Sequence, residues 1–196
     1  MSESGIIQNI FFPARRKKQN ASSPADGKQK EEAMLVERVC AGDQSAFDEL
    51  YKKLSPLVHG IILARVPRDE VDDIVQEVFI SAYQKLHTLR DKNAVSPWMA
   101  RIARNRAVEF YRRNKPTEEL SENLSHNGRT RHEAQEILDA IRSMPDTYRE
   151  TLILRLVEGM TGPEIAERTG LKHESVRVNL HRGMKMLREN LGIQKR

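Results

Sequence analysis

Residues Thr161–Leu187 read TGPEIAERTGLKHESVRVNLHRGMKML, and this stretch decides the fold of the C-terminal part of the chain. Thr161 and Glu164 have the spacing of a capping box, so a helix starts there with Pro163 in its first turn, where a missing N–H is tolerated. Ile165 and Ala166 face inward, and Ala166 is small where a second helix must cross closely. Gly170 ends the helix in the left-handed conformation that glycine adopts at little cost, and Leu171 closes the corner. A second helix begins near His173, with Val176, Leu180 and Leu187 inward and Lys172, Arg177, His181, Arg182 and Lys185 outward. Two helices joined by a glycine-bearing turn, the second basic on its outer side, form the helix-turn-helix layout. One helix fits the major groove of DNA, its arginines bind guanine through paired hydrogen bonds, and its lysines neutralise phosphates. The alternative for the same residues is a solvated basic helix in an unrelated bundle.

The rest of the chain is organised around that unit. Its 196 residues, 38% hydrophobic and 31% charged, suffice for one or two small cores, and a net charge of +5 favours an acidic partner. The single cysteine, Cys40, excludes an internal disulfide framework and a cysteine-rich zinc site, which suits a reducing compartment. No apolar run approaches the roughly 20 residues of a membrane span. The start, MSESGIIQNIFFPARRKKQN, puts its apolar patch before its charges, the reverse of a secretory signal, so a cytoplasmic location without membrane insertion is expected.

Helical periodicity then sets the domains. Residues 1–31 lack a period and are expected as a flexible basic tail. Residues 32–115 repeat at three and four and form a first domain. Residues 116–132 lose the period, fill with polar side chains and contain Pro116 and Gly128, a linker signature. Residues 133–196 form the helix-turn-helix domain. No alternating strand pattern occurs, so the fold class is all-α: two small helical domains joined by a flexible linker.

Within the first domain, a short opening helix precedes three others. Asp43 is placed to cap a helix striped by Phe47, Leu50, Tyr51, Leu54, Val58 and Ile61, which Pro56 should bend or split. Past Pro67, Val71, Ile74, Val75, Val78, Ala82 and Leu86 share one face, and Asp72, Asp73, Gln76 and Glu77 lie on the other. Ser96 and Pro97 read as a cap and first helical position. Their helix turns Met99, Ile102, Ala103 and Phe110 inward and leaves Arg101, Arg104, Arg112 and Arg113 for solvent or a ligand.

The segments DEVDDIVQEVFISAYQKL (Asp69–Leu86), PWMARIARNRAVEFYRR (Pro97–Arg113) and MPDTYRETLILRLVEGMTGPEIAERTGLKHESVRVNLHRGMKML (Met144–Leu187) resemble the bacterial RNA polymerase sigma factors of the extracytoplasmic-function (ECF) type, in the sigma-70 family. The resemblance covers about Glu32 to Leu191, with two separate domains in the right order. It implies an alternative sigma factor, answering a stress or envelope signal, that binds core RNA polymerase and directs promoter recognition, promoter opening and transcription initiation. By the same resemblance, Lys172, Ser175, Arg177, Val178, His181 and Arg182 contact the duplex minus-thirty-five element. Val178 and Glu174 depart from the family pattern, in which a polar side chain is common at the first position. Trp98, Arg101, Arg104 and Asn105 match the segment that opens the minus-ten element, with Lys92 and Asn93 in the loop that captures a flipped base. An aromatic among arginines suits unstacked bases, since every base offers a face to stack on and a phosphate to pair. Trp98 also fits a core role and Asn105 a backbone-satisfying one. Asp73, Gln76, Glu77 and Phe79 match the surface for the clamp helices of the polymerase. An acidic stripe in a basic protein suits a basic protein partner rather than DNA. Phe79, beside the apolar stripe, fits the core as well. An anti-sigma protein is a further partner that the family often uses.

Two other classes weigh against this reading. A dimeric regulator acting without polymerase would explain the last helices but leave the acidic stripe and the Trp98–Arg101 helix without a role; the expectation here is a monomer when free. An enzyme would need a reaction centre. Asp72 and Asp73 are adjacent and so diverge by about 100° around a helix, no histidine pair has ligand spacing beside an acid, and no phosphate loop or nucleophile motif stands out. No enzymatic activity, metal or cofactor is expected.

Overall fold

The structure is a computed structural model, and it describes residues 24–113 and 129–193. Among these residues there are eight α-helices, three single-turn 3-10 helices and no strand. The N-terminal unit comprises α1 (Pro24–Cys40), α2 (Gln44–Leu63), α3 (Val71–Lys85) and α4 (Val95–Arg113). The C-terminal unit comprises α5 (Arg129–Arg142), α6 (Asp146–Leu156), α7 (Gly162–Thr169) and α8 (His173–Asn190).

Local chemistry accounts for most boundaries. The Asp43 carboxylate accepts the Ala46 backbone N–H and starts α2. Pro67 precedes a 3-10 turn, Arg68–Glu70, that leads into α3. The α3 stripe of Val71, Ile74, Val75, Val78 and Ala82 is buried, as its spacing dictates. At the centre of the unit Leu54, Leu57, Ile61 and Ile62 of α2 have no solvent-accessible surface. Each such burial stabilises by about 1.5–3 kcal/mol.

Four expectations need correction. The helix α1 begins at Pro24, inside the stretch 1–31 read as tail, and has 17 residues rather than being short. Its first turns, ADGKQKEE, carry no apolar stripe and so no visible period, yet Lys28, Glu31 and Glu32 find charged partners on other helices. The expectation for residues 1–23 lies outside the described residues, as does that for 114–128 of the linker. The helix α5 begins at Arg129, so the last four residues of the expected linker are helical. Pro56 does not split α2, which runs unbroken because its buried stripe continues on both sides of the proline. Ser96 is not a cap. The chain already turns upstream through a 3-10 helix, Lys92–Ala94, opened by the Asp91 carboxylate accepting the Asn93 N–H. Ser96 is buried, and its hydroxyl donates to Glu32 at 2.6 Å.

The C-terminal unit follows its sequence closely. Thr161 and Glu164 form a reciprocal capping box, and Gly170 ends α7 with φ +72°. Ile165 of α7 and Val176 and Leu187 of α8 are buried.

Buried residues of the two helical units belong to one continuous hydrophobic cluster. Helix α6 lies against α2 and α7 against α4. At Gly60 in α2 a Cβ would stand 2.7 Å from Leu154 Cδ2 of α6 and 2.9 Å from Glu158 Cγ just beyond that helix. Arg142 and Arg149 of the C-terminal unit donate to the carbonyls of Leu63, Ala64 and Val66, where α2 ends and its own N–H donors run out.

Candidate nucleic-acid interface

Helix α8 holds its inner residues, Val176 and Leu187, against α6 and α7, and this fixes what faces out. Lys172, Ser175, Arg177, Val178, His181 and Arg182 are all exposed, and Lys185 continues the row one turn further. Positions 177, 178, 181, 182 and 185 fall on one side of a 3.6-residue helix. Glu174, the acid that interrupts this basic surface, sits in the first turn of α8, where the helix dipole favours a negative charge. The arrangement is a basic stripe on a rigid helix, open to solvent and wide enough to enter a groove.

The basic side of α4 is different. Arg101 and Asn105 are exposed, and Trp98 is half-buried against the core. Lys92 pairs with Glu37 at 3.1 Å, and Asn93 is exposed beside Asp91. Arg104, expected to be free, is not. Its guanidinium donates twice to Glu150 of α6, at 2.7 and 3.1 Å, and once to the Thr169 carbonyl at 3.2 Å. Glu150 is 5% exposed and also receives Arg65 at 2.6 Å. Burial pushes the Glu150 carboxyl up, but the two guanidiniums outweigh it and leave it below its ordinary value. The correction has a simple cause: the partner of Arg104 lies 46 residues away, and no periodicity in either helix announces it.

On α3, Asp72, Asp73 and Gln76 are exposed, and Glu77, partly exposed, pairs loosely with Arg106 at 3.5 Å. Phe79 is 4% exposed, so it belongs to the core more than to the acidic row, although it also lines a groove of about 760 Å³ between α2 and α3. That groove was missed in the sequence. Phe47 and Tyr51, read there as an inward stripe, stack with Phe79 and Tyr83 at centroid distances of 4.4–6.5 Å. Tyr51, Tyr83 and Ile80 remain substantially exposed. Aromatics four residues apart on two adjacent helices were the available signal. The groove carries Asp48 and Asp72 in its lining, so it has an apolar floor beside negative charge.

Among the described residues no three His, Cys, Asp or Glu side chains gather where a metal could be held. No helix among them is long and apolar enough to cross a membrane.

Comparison with known proteins agrees with this geometry. The family model for sigma-70 region 2 matches residues 50–117, and that for sigma-70 region 4 matches residues 134–187. The chain is 30% identical over 176 residues to an ECF RNA polymerase sigma-E factor of Haemophilus influenzae, covering 80% of this chain and 93% of that protein. It is 32% identical over 152 residues to the ECF RNA polymerase sigma-E factor of Escherichia coli K12, covering 68% and 80% of the two chains. Two solved structures share the fold. One is CnrH in complex with the cytosolic domain of CnrY (TM-score 0.62, 23% identity, 84% of this chain and 99% of that one). The other is the Bartonella quintana sigma factor RpoE with the anti-sigma factor NepR (TM-score 0.56, 20% identity, 76% and 97%).

Proposed function

The chain belongs to the ECF sigma factors of the sigma-70 family, and from that premise we propose how its residues divide the work of starting transcription. It is an alternative sigma factor, not an enzyme: it binds core RNA polymerase and promoter DNA and directs initiation. The observation that carries the division of labour is the open basic row on α8, which no other part of the described chain covers.

In the proposal, Arg177, Val178, His181 and Arg182 enter the major groove of the minus-thirty-five element, with Lys172 and Ser175 at the flanking phosphates. Trp98, Arg101, Arg104 and Asn105, with Lys92 and Asn93, hold the melted minus-ten strand. Asp73, Gln76, Glu77 and Phe79 meet the polymerase clamp. The exposed aromatics of the neighbouring groove give that surface an apolar centre with a charged rim, the usual anatomy of a protein interface. The protein works in the cytoplasm and is monomeric when free. An anti-sigma protein is included among its partners because the solved RpoE structure is described with one. The domain division, residues 32–115 and 133–196 around a linker at 116–132, is supported by family matches at 50–117 and 134–187, with α1 and the start of α2 preceding the first match.

Run-off transcription with core polymerase tests the reading. The wild-type chain should support specific initiation on promoters taken from its own genome. Asp73→Lys with Glu77→Lys should abolish it by repelling a basic clamp surface. Equal transcription by wild type and double variant would remove the acidic row from the polymerase interface.

A further inference from the structure

We propose that the segment Ile6–Lys18 of this chain seats itself in the aromatic groove between α2 and α3, and thereby competes with core polymerase for that surface. The docking stands on the groove and the sequence; the competition rests on the clamp assignment proposed above. The groove measures about 760 Å³, within the size range of built binding sites. Its floor is aromatic: Phe47 of α2 meets Phe79 and Tyr83 of α3 edge-on, and Tyr51 lies against Phe79. Yet Tyr51, Ile80 and Tyr83 are 42%, 53% and 49% exposed, so no described helix covers them fully. An apolar patch of this kind gains by being covered, and its occupant should carry apolar side chains.

A segment of that chemistry precedes α1, outside the described residues. Residues 6–18 read IIQNIFFPARRKK. The apolar side chains of Ile6, Ile7, Ile10, Phe11 and Phe12 come first, and after Pro13 and Ala14 follow the cations Arg15, Arg16, Lys17 and Lys18. The groove has the complementary order. Its ring contacts join position 47 to 83 and position 51 to 79, so α2 and α3 run antiparallel and Asp72 falls near His59 at the far end. Asp72 lines that end, Asp73 is exposed next to it, and Asp48 lines the groove beside Tyr51. Apolar residues thus face rings, and cations face carboxylates.

The point of attachment sets the direction. Glu31 pairs with Lys53 across antiparallel α1 and α2, and Pro24 starts α1 seven residues before Glu31. At about 1.5 Å per residue this puts Pro24 near the level of Gly60, which is the acidic end of the groove. Between Lys53 and the lining residue Asp48, the surface of α2 is the exposed side that carries Lys52. Six residue steps lead from Pro24 back to Lys18, about 20 Å when extended, enough to cross a helix about 10–12 Å wide. The cations therefore reach Asp72 and Asp73 first, and the apolar residues continue toward Tyr83. A segment tethered so close meets the groove at an effective concentration on the order of millimolar, so even a weak contact is populated within the chain. Gln76 and Phe79 belong to the groove and to the proposed clamp surface alike, so a seated segment excludes polymerase there.

The test is a photocrosslink on the full chain. Benzoylphenylalanine in place of Phe11 is irradiated in dilute protein, and the joined peptides are read by mass spectrometry. The expected product is an internal link to residues 44–59 of α2 or 72–84 of α3. Asp48→Lys with Asp72→Lys should cut its yield severalfold. Absence of the link, a link to a second copy, a link away from the groove, or an unchanged yield in the charge variant would overturn the docking. Phe11→Asp leaves every described helix unaltered in sequence. It should tighten the apparent affinity for core polymerase by about tenfold, the gain when an occupancy near nine-tenths is relieved. Arg16→Glu with Lys17→Glu should act in the same direction. Failure of the clamp assignment looks different: the internal link forms as expected, upholding the docking, while polymerase affinity is the same with and without Phe11→Asp.

Discussion

The two basic helices of this protein are close in composition and opposite in state. On α8 every outward residue of the proposed reading row faces solvent, because the helix needs only its inner side to pack on α6 and α7. On α4 the corresponding surface is divided: Arg101 and Asn105 face solvent, while Arg104 is bound by Glu150 and the Thr169 carbonyl. The difference teaches that a positive charge on a helix face is a site only when nothing within the chain has already claimed it. The α8 row stands open to solvent, and the α4 row lacks the free guanidinium of Arg104.

The comparison breaks first on α8. Arg177→Ala and Arg182→Ala should each weaken promoter binding by the polymerase complex by about 1–3 kcal/mol if each holds a guanine bidentately. If one of them instead meets a phosphate, the loss should be equal on all sequences and the salt slope should fall by about 1. Affinity unchanged on every DNA, with the fold intact, removes α8 from the groove.

On α4 the two arginines should separate. Arg101→Ala should reduce permanganate reactivity of the minus-ten element and leave the contact between the units intact. Arg104→Ala should reduce it further and also weaken that contact, since Glu150 then keeps only Arg65. A pre-melted promoter should restore most transcription to both variants, because strand separation is then supplied in advance. Normal melting by a variant carrying both Arg101→Ala and Arg104→Ala would take these residues out of promoter opening.

The smallest effect is on pH. His59 is raised above its ordinary value chiefly by its hydrogen bond to Glu158, opposed by partial burial and helped by the charges of Glu158 and Asp72. A raised histidine favours the contact fully below about pH 6.5, and that contribution is lost as pH rises through the higher folded value. The contact between the two units should therefore weaken slightly on the alkaline side, read as a small fall in thermal stability, and His59→Gln should flatten the profile. Because His59 is about a third exposed, salt should shrink the effect. Glu150, held below its ordinary carboxyl value, has the opposite sign: its contribution is present at neutral pH and is lost only in acid, below the usual carboxylate range.

Much of the architecture was legible because it is written in local chemistry. The capping box of Thr161 and Glu164, the left-handed Gly170 and the apolar stripes of α3 and α8 each act within a few residues, and each is found where its spacing puts it. What was not legible is the docking of the units. Arg104 to Glu150 spans 46 residues, and Arg168 to Glu32 spans 136. A charged residue that pairs at such range looks the same in sequence as one that is solvated. The beginning of α1 was hidden for a related reason, its charges being engaged with other helices instead of marking a period. The aromatic groove was half legible: Phe47 and Tyr51 were read as a stripe, and their exposed edges could be seen only once α3 lay beside them.

The most direct measurement is a mobility-shift titration of promoter DNA at fixed salt, with and without core polymerase. Alone, the chain should bind weakly as a monomer, with steep salt dependence and little sequence preference, since Arg104 is held by Glu150 and only the α8 row is open. Core polymerase should make binding tight and specific by fixing both units at once. Asp73→Lys with Glu77→Lys should lose that gain while keeping the weak direct binding. Tight, sequence-specific binding by the protein alone, above all as a dimer, would contradict the account.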